Sequence, residues 1–210
     1  AALLFATVVT FSLAFPALAE KIPIIGSVFE LFEENEKEPI IDDYANHATD
    51  LGTTKESNGV SLTFTEAVCD REHITIAFPL ESEHDLGDEP FIEYEIETDY
   101  RHYTGGSQLI EKLDEGKYAG LIMIDITRGP RLDTIQFNWE AKKIGSLDEE
   151  APYFQFKNPV EGNWSFDITL ENIGSETYRF ENLAAHGDGI EIKLNRMTAT
   201  PISTTFYFSE

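Results

Sequence analysis

The histidines of this chain stand at His47, His73, His84, His102 and His186. No two share an element at the spacing that presents a pair of zinc ligands. His84 with Asp85, Asp88 and Glu89 is the one cluster that could cradle calcium. Calcium needs roughly six to eight oxygens, so a solvated acidic turn is the expected reading. The run Asp148-Glu149-Glu150 reads the same way. The single cysteine, Cys69, has no partner for an internal disulfide. Asp70 and Glu72 beside it oppose a thiolate, with only Arg71 in its favour, so a strand-end thiol is expected. No nucleophile elbow, phosphate loop or Ser-x-x-Lys motif occurs, and carboxylates are too numerous for adjacency to mark an acid/base pair. The expected site therefore holds no catalytic residue, no cofactor and no metal. The sequon Asn163-Trp164-Ser165 falls inside an expected strand. The aromatic stretch Tyr100-Arg101-His102-Tyr103, before Gly105-Gly106, is expected to pack on its own sheet.

The elements that carry these residues are mostly strands. Val60, Leu62 and Phe64 alternate with polar residues, as do Ile74, Ile76, Phe78 and Leu80. Ile92, Tyr94 and Ile96 face away from Glu93, Glu95 and Glu97. Ile135, Phe137, Trp139 and Ala141 form another alternating run, and Trp164, Phe166, Ile168 and Leu170 a further one. Leu121 to Ile126 is more continuously apolar, as in a central strand. Turn residues such as Gly87-Asp88-Glu89-Pro90 separate the runs. The expected fold is mainly β: an immunoglobulin-like antiparallel β-sandwich. That label concerns architecture only, because the disulfide and tryptophan arrangement of antibody domains is absent.

Two helical pieces are expected ahead of it. Ala1 to Ala19 is uncharged and of membrane-span length, and it ends in Ala17-Leu18-Ala19, a small-x-small pattern that signal peptidase accepts. A retained transmembrane helix and a cleaved signal peptide both place Glu20 onward outside the cytoplasm. Ser27 and Glu30 make a capping box, with Ile25, Val28, Phe29 and Phe32 at helical spacing. A short juxtamembrane amphipathic helix is expected over about residues 27–36, its apolar face packed on the domain beneath. The formal net charge of −24 lies wholly between Glu20 and Glu210. Such a surface repels nucleic-acid phosphates, so nucleic acid is excluded as a partner.

Asn58-Gly59-Val60-Ser61-Leu62-Thr63-Phe64, followed by Ile74 to Phe78, recurs as Asp188-Gly189-Ile190-Glu191-Ile192-Lys193-Leu194, followed by Thr204 to Phe208. The matched glycine and register favour duplication. The expected organisation is a transmembrane segment or signal peptide at 1–19, helix and linker at 20–57, and a sandwich at 58–185. A hairpin at 186–210 then starts a second, truncated sandwich, or else completes the first domain's sheet.

Several stretches together resemble one family. They are Phe15 to Ala19, Ile22 to Phe29, Lys55 to Val60, Leu86-Gly87-Asp88, Lys117 to Leu121 and Gly162 to Phe166. As a set they resemble an exported domain-of-unknown-function family of Gram-positive, anti-sigma-factor-like, single-span membrane proteins. The resemblance implies a short cytoplasmic region, one membrane span and sandwich domains outside. It implies a sigma factor as partner of an upstream cytoplasmic region, and an extracellular ligand or protein for the sandwich. It carries no catalytic residues, and it favours a retained span at 1–19 in the cell membrane. The expected function is an extracytoplasmic sensory or interaction domain. The alternative is a cell-surface adhesion or structural module.

Overall fold

A computed structural model of the chain describes residues 27–34, 43–70, 72–98, 103–126, 133–148, 150–151, 153–181, 183–187 and 189–209. The apolar segment 1–19, expected to span a membrane, lies outside them. Among the described residues no helix is long and apolar enough to cross a membrane. Two short helices, α1 (Val28–Glu34) and α2 (Tyr44–His47), precede the strands. The fold is mainly β.

The strands are β1 (Thr49–Ser57), β2 (Val60–Cys69), β3 (His73–Ser82), β4 (Pro90–Glu97), β5 (Tyr103–Asp114), β6 (Lys117–Ile126), β7 (Thr134–Leu147) and β8 (Phe156–Glu171). Four more follow: β9 (Glu176–Arg179), β10 (Ala184–Gly187), β11 (Ile190–Ala199) and β12 (Thr204–Ser209). One sheet has the order β1-β2-β3-β6-β5, a second β4-β7-β8, and a third β10-β11-β12 with β9 also on β11. All pairings are antiparallel.

The first strand lies in the stretch read from sequence as linker. Its side chains are mostly exposed, and only Leu51 packs on the core, so it carries no apolar alternation. The turn creates it instead. Asn58 and Gly59 both take positive φ, 49° and 74°. That is the two-residue hairpin geometry which folds a polar strand back onto its neighbour.

The five-stranded and three-stranded sheets share one core. Val60, Leu62, Phe64, Ile76, Phe78 and Leu80 meet Trp139, Ala141, Trp164, Phe166 and Ile168 across it. Phe64 stacks on Phe166 at 4.0 Å and meets the Trp139 ring edge-on at 4.9 Å. Trp164 donates its indole N–H to the Val60 carbonyl at 3.0 Å, tying the two sheets through a buried bond. At one open side Asn58 donates to the Glu161 carbonyl and Ser57 Oγ accepts from the Asn163 N–H. At the other, the Gln108 side-chain amide bonds both backbone groups of Ile92 (2.9 and 3.0 Å), so β4 does not present these groups to solvent.

The 186–210 hairpin does not extend the first sheet. It lies with β9 and β10 in the third, and the repeated pattern is matched in backbone. In both copies a glycine at positive φ precedes a strand with a register shift and an antiparallel partner.

Candidate functional site

Of the chemistry-bearing residues singled out in the sequence, the described histidines stay apart. His47 pairs with Asp43, His84 meets the Asn58 carbonyl at 2.9 Å, and His186 lies 3.7 Å from Glu191. The acidic turn is engaged locally: Asp88 pairs with Lys112 at 2.9 Å and Asp85 accepts the Gly87 N–H. Among the described residues no group of three or more His, Cys, Asp or Glu could hold a metal ion. Cys69 is buried and donates to Asn172 Oδ1 at 3.0 Å. Tyr100 to His102 lie outside the described residues. Asn163 of the sequon is exposed on β8, where its side chain accepts from Lys142 at 3.3 Å.

Two other places concentrate buried polar groups, and the first is beneath α1. Ser27 caps the helix: its Oγ accepts the Phe29 N–H at 3.0 Å, and Glu30 accepts the Ser27 N–H at 3.2 Å. Val28, Phe29 and Phe32 then face the outer surface of the five-stranded sheet. They pack on Val68, Ala77, Ala119 and Leu121, with Tyr44 of α2 alongside (Phe29–Tyr44 5.4 Å). Alanines at 77 and 119 leave the room that the aromatic rings occupy. This second cover explains why β6 reads as continuously apolar, since both of its faces are buried.

Glu66 of β2 fixes that helix. A register shift between Leu62 and Glu66 changes which side chains face inward. Leu62 and Phe64 face the inter-sheet core before it, and Ala67 and Cys69 after it. Glu66 and Val68 are thereby turned out beneath α1. Glu66 is only 7% exposed, and its carboxylate accepts the Ser27 hydroxyl and the Phe29 N–H (3.1 Å). Burial pushes its pKa above the ordinary 4.5 despite these bonds, and Asp50, directly opposite on β1, adds to the rise. The stability tied to this group is therefore complete below pH 4.5 and declines as pH climbs through the raised value. Glu66→Gln keeps an acceptor for both donors and removes the buried charge. Hydrogen exchange of the 27–34 amides, corrected for intrinsic rate, is expected to lose protection with rising pH in the parent chain. In E66Q that pH dependence is expected to be absent.

The second place is the β2–β3 connection. Asp70, 1% exposed, accepts the His73 N–H at 2.8 Å, the Glu72 N–H at 3.1 Å and the Ser203 hydroxyl. Ser203 lies between β11 and β12, so this carboxylate joins the third sheet to the first. Burial works to raise the Asp70 pKa, but hydrogen bonds from His73 and Ser203 hold it below its ordinary value. The Asp70 bond holds the His73 pKa up against burial, with the Asp125 and Glu72 charges assisting. Nearby, burial and the Glu72 carboxylate push the Tyr207 hydroxyl up to about 12, while the Arg196 guanidinium lies 3.6 Å over its ring. Sequence reading passed over Glu66 and Ser203 and weighed Asp70 only as a neighbour of Cys69. An Asp followed two and three residues on by donors between two strands is a turn signal that could have flagged it.

These two contacts are latches: each ties a distant segment to the first sheet through a buried carboxylate. The apolar segment, α1 and the first hairpins all fall within one recognisable stretch. Residues 1–82 match the family model described as a domain of unknown function, DUF4179. No curated protein matches the chain. A solved structure, the crystal structure of the conserved domain protein from Bacillus anthracis, is similar with a TM-score of 0.74 at 27% identity. The match covers 89% of this chain and 62% of that one, so the chain spans less than two thirds of the length of the solved protein.

Proposed function

We propose that this chain is the non-catalytic, extracytoplasmic sensory domain of a membrane-anchored, anti-sigma-factor-like regulator of a Gram-positive bacterium. The observation that carries the reading is the docking of α1. This helix is the first described element after the apolar segment 1–19, which is read as the span. Its hold on the sheet depends on Glu66, a strand residue continuous with the inter-sheet core. A change in the sandwich therefore alters the hold on α1, and through it the strain on a membrane span. The sandwich is read as immunoglobulin-like: β2-β3-β6-β5 facing β4-β7-β8 follows the ABED and CFG strand orders, which supports that label. The DUF4179 match runs through the segment, α1 and the first two hairpins, consistent with their working as a unit.

A bacterial two-hybrid assay of the full-length gene against the sigma factors of its host tests the reading. Interaction with one of them, lost when its cytoplasmic region is removed, is the expected result. Absence of any sigma partner overturns it.

The alternative, a surface adhesion or structural module, is favoured by the third sheet. Its strands expose Tyr178, Ile190, Ile192, Phe206 and Phe208. Retention of residues 20–210 on purified cell wall would support that reading over a signalling role.

A further inference from the structure

We propose that the aromatic patch of Phe91, Tyr153, Phe154 and Phe156 is a docking site for a cationic peptide segment that carries apolar side chains. Phe91 is the second residue of β4, Phe156 begins β8, and the other two rings lie in the loop between β7 and β8. Phe154 meets Phe91 at 4.9 Å and Phe156 at 5.7 Å, and Phe91 lies 6.0 Å from Phe156. Hydrogen bonds join described residues on either side of these rings. Asp148 N–H donates to the Gln155 carbonyl at 2.8 Å, and the Asp148 carboxylate accepts the Glu150 N–H at 3.1 Å. Yet Tyr153 remains 84% exposed and Phe154 60%. Two large aromatics left exposed beside Phe91 and Phe156 mark a surface for a partner.

Charge selects the partner. Glu89 precedes Phe91, Glu93 follows it, and Asp148 and Glu150 share the loop with the two exposed rings. Lys143 is paired with Glu93 at 3.2 Å, leaving Lys157 as the local basic side chain outside that pair. Aromatic faces and carboxylates both attract ammonium and guanidinium groups. The net charge of −24 steers cations to the same surface and repels anionic lipid or phosphate. A neutral glycan would need a flat ring platform. Phe91, Phe154 and Phe156 meet edge to face, at 73°, 61° and 86°, and form no shared flat platform.

The test uses the full chain in non-ionic detergent and a fluorescein-labelled peptide of lysine and leucine, read by anisotropy. A glutamate-leucine peptide and a chitin hexasaccharide serve as comparisons. The expected result is saturable binding of the lysine peptide, weakened by salt and weakened at least about tenfold in Y153S/F154S, as for loss of aromatic anchors. The double variant leaves the charge unchanged, so it separates the patch from general attraction to an acidic surface. Tyr153→Ala alone, at a side chain almost wholly in water, guards against misfolding and is expected to weaken binding in the same direction. Equal binding by the parent and both variants overturns the proposal, as does preference for the acidic peptide or the glycan. The site is independent of the regulatory reading, because sigma-factor interaction and peptide binding are measured separately.

Discussion

Phe29→Ala is expected to free α1 from the sheet while the inter-sheet core stays folded. Phe29 is fully buried, and truncating such a ring costs about 3–5 kcal/mol where the surroundings cannot collapse. The helix has seven residues, too few to persist alone in water. Its docking rests on three apolar side chains, the Ser27 cap and the Glu66 bonds, so a loss of that size removes most of what holds it. The damage is self-limiting, because once α1 leaves, further stability is not at stake in the core. Hydrogen exchange should show residues 27–34 exchanging at near-intrinsic rates, with Leu62, Ile76 and Ile122 still protected. Global loss of protection would mean that α1 is an integral part of the core rather than a docked strap. In the regulatory reading, the same variant should uncouple the sandwich from the membrane segment.

Asp70→Ala is expected to destabilise the β2–β3 connection by about 3 kcal/mol and to loosen the third sheet from the first. This is the low end for breaking a buried ionic contact, because the His73 side chain is 42% exposed and partly rehydrates. Two backbone N–H groups and the Ser203 hydroxyl lose their acceptor together. Asp70→Asn should recover part of the loss, since an amide oxygen still accepts. The pH dependence follows from the two shifts. Asp70 is held low, so its contribution is present above the ordinary 3.8 and is lost as pH falls through its lowered value. His73 is held high, so its contribution is complete below the ordinary 6.5 and is lost as pH rises through its raised value. The groups facing His73 are Asp70, Asp125 and Glu72, all acidic. The junction is therefore firmest in mildly acidic solution. Urea unfolding of D70A and D70N across pH 3–9 checks both limbs. The expected result is a flattened profile in both variants, and a profile identical to the parent would remove Asp70 from this role.

These two latches respond to pH differently. Glu66 weakens the α1 dock as pH rises, whereas the Asp70–His73 pair loses strength at both extremes. Their shared consequence is that α1 and the third sheet are both held near the C-terminal end of β2 by carboxylates whose surroundings set the strength of the bond.

The division between what sequence and tertiary structure decide is visible along β2. Alternation of apolar side chains was sufficient to place β2, β3, β4, β7 and β8 as strands, because one face of each must be buried. The Ser27–Glu30 capping box was also local, and it set the start of α1 at Val28. β1 was not readable, because its nine residues carry one apolar side chain, Leu51, and are held mainly by the Asn58-Gly59 turn and by pairing to β2. Nor was Glu66, because only the register shift in β2 decides that it faces α1 and not the inter-sheet core. Asp70 and Ser203 stand 133 residues apart, and no local pattern records their contact. Local propensity and periodicity act within a few residues, so they specify elements and faces. The latches join residues distant in the chain, and they exist only once the sheets have packed.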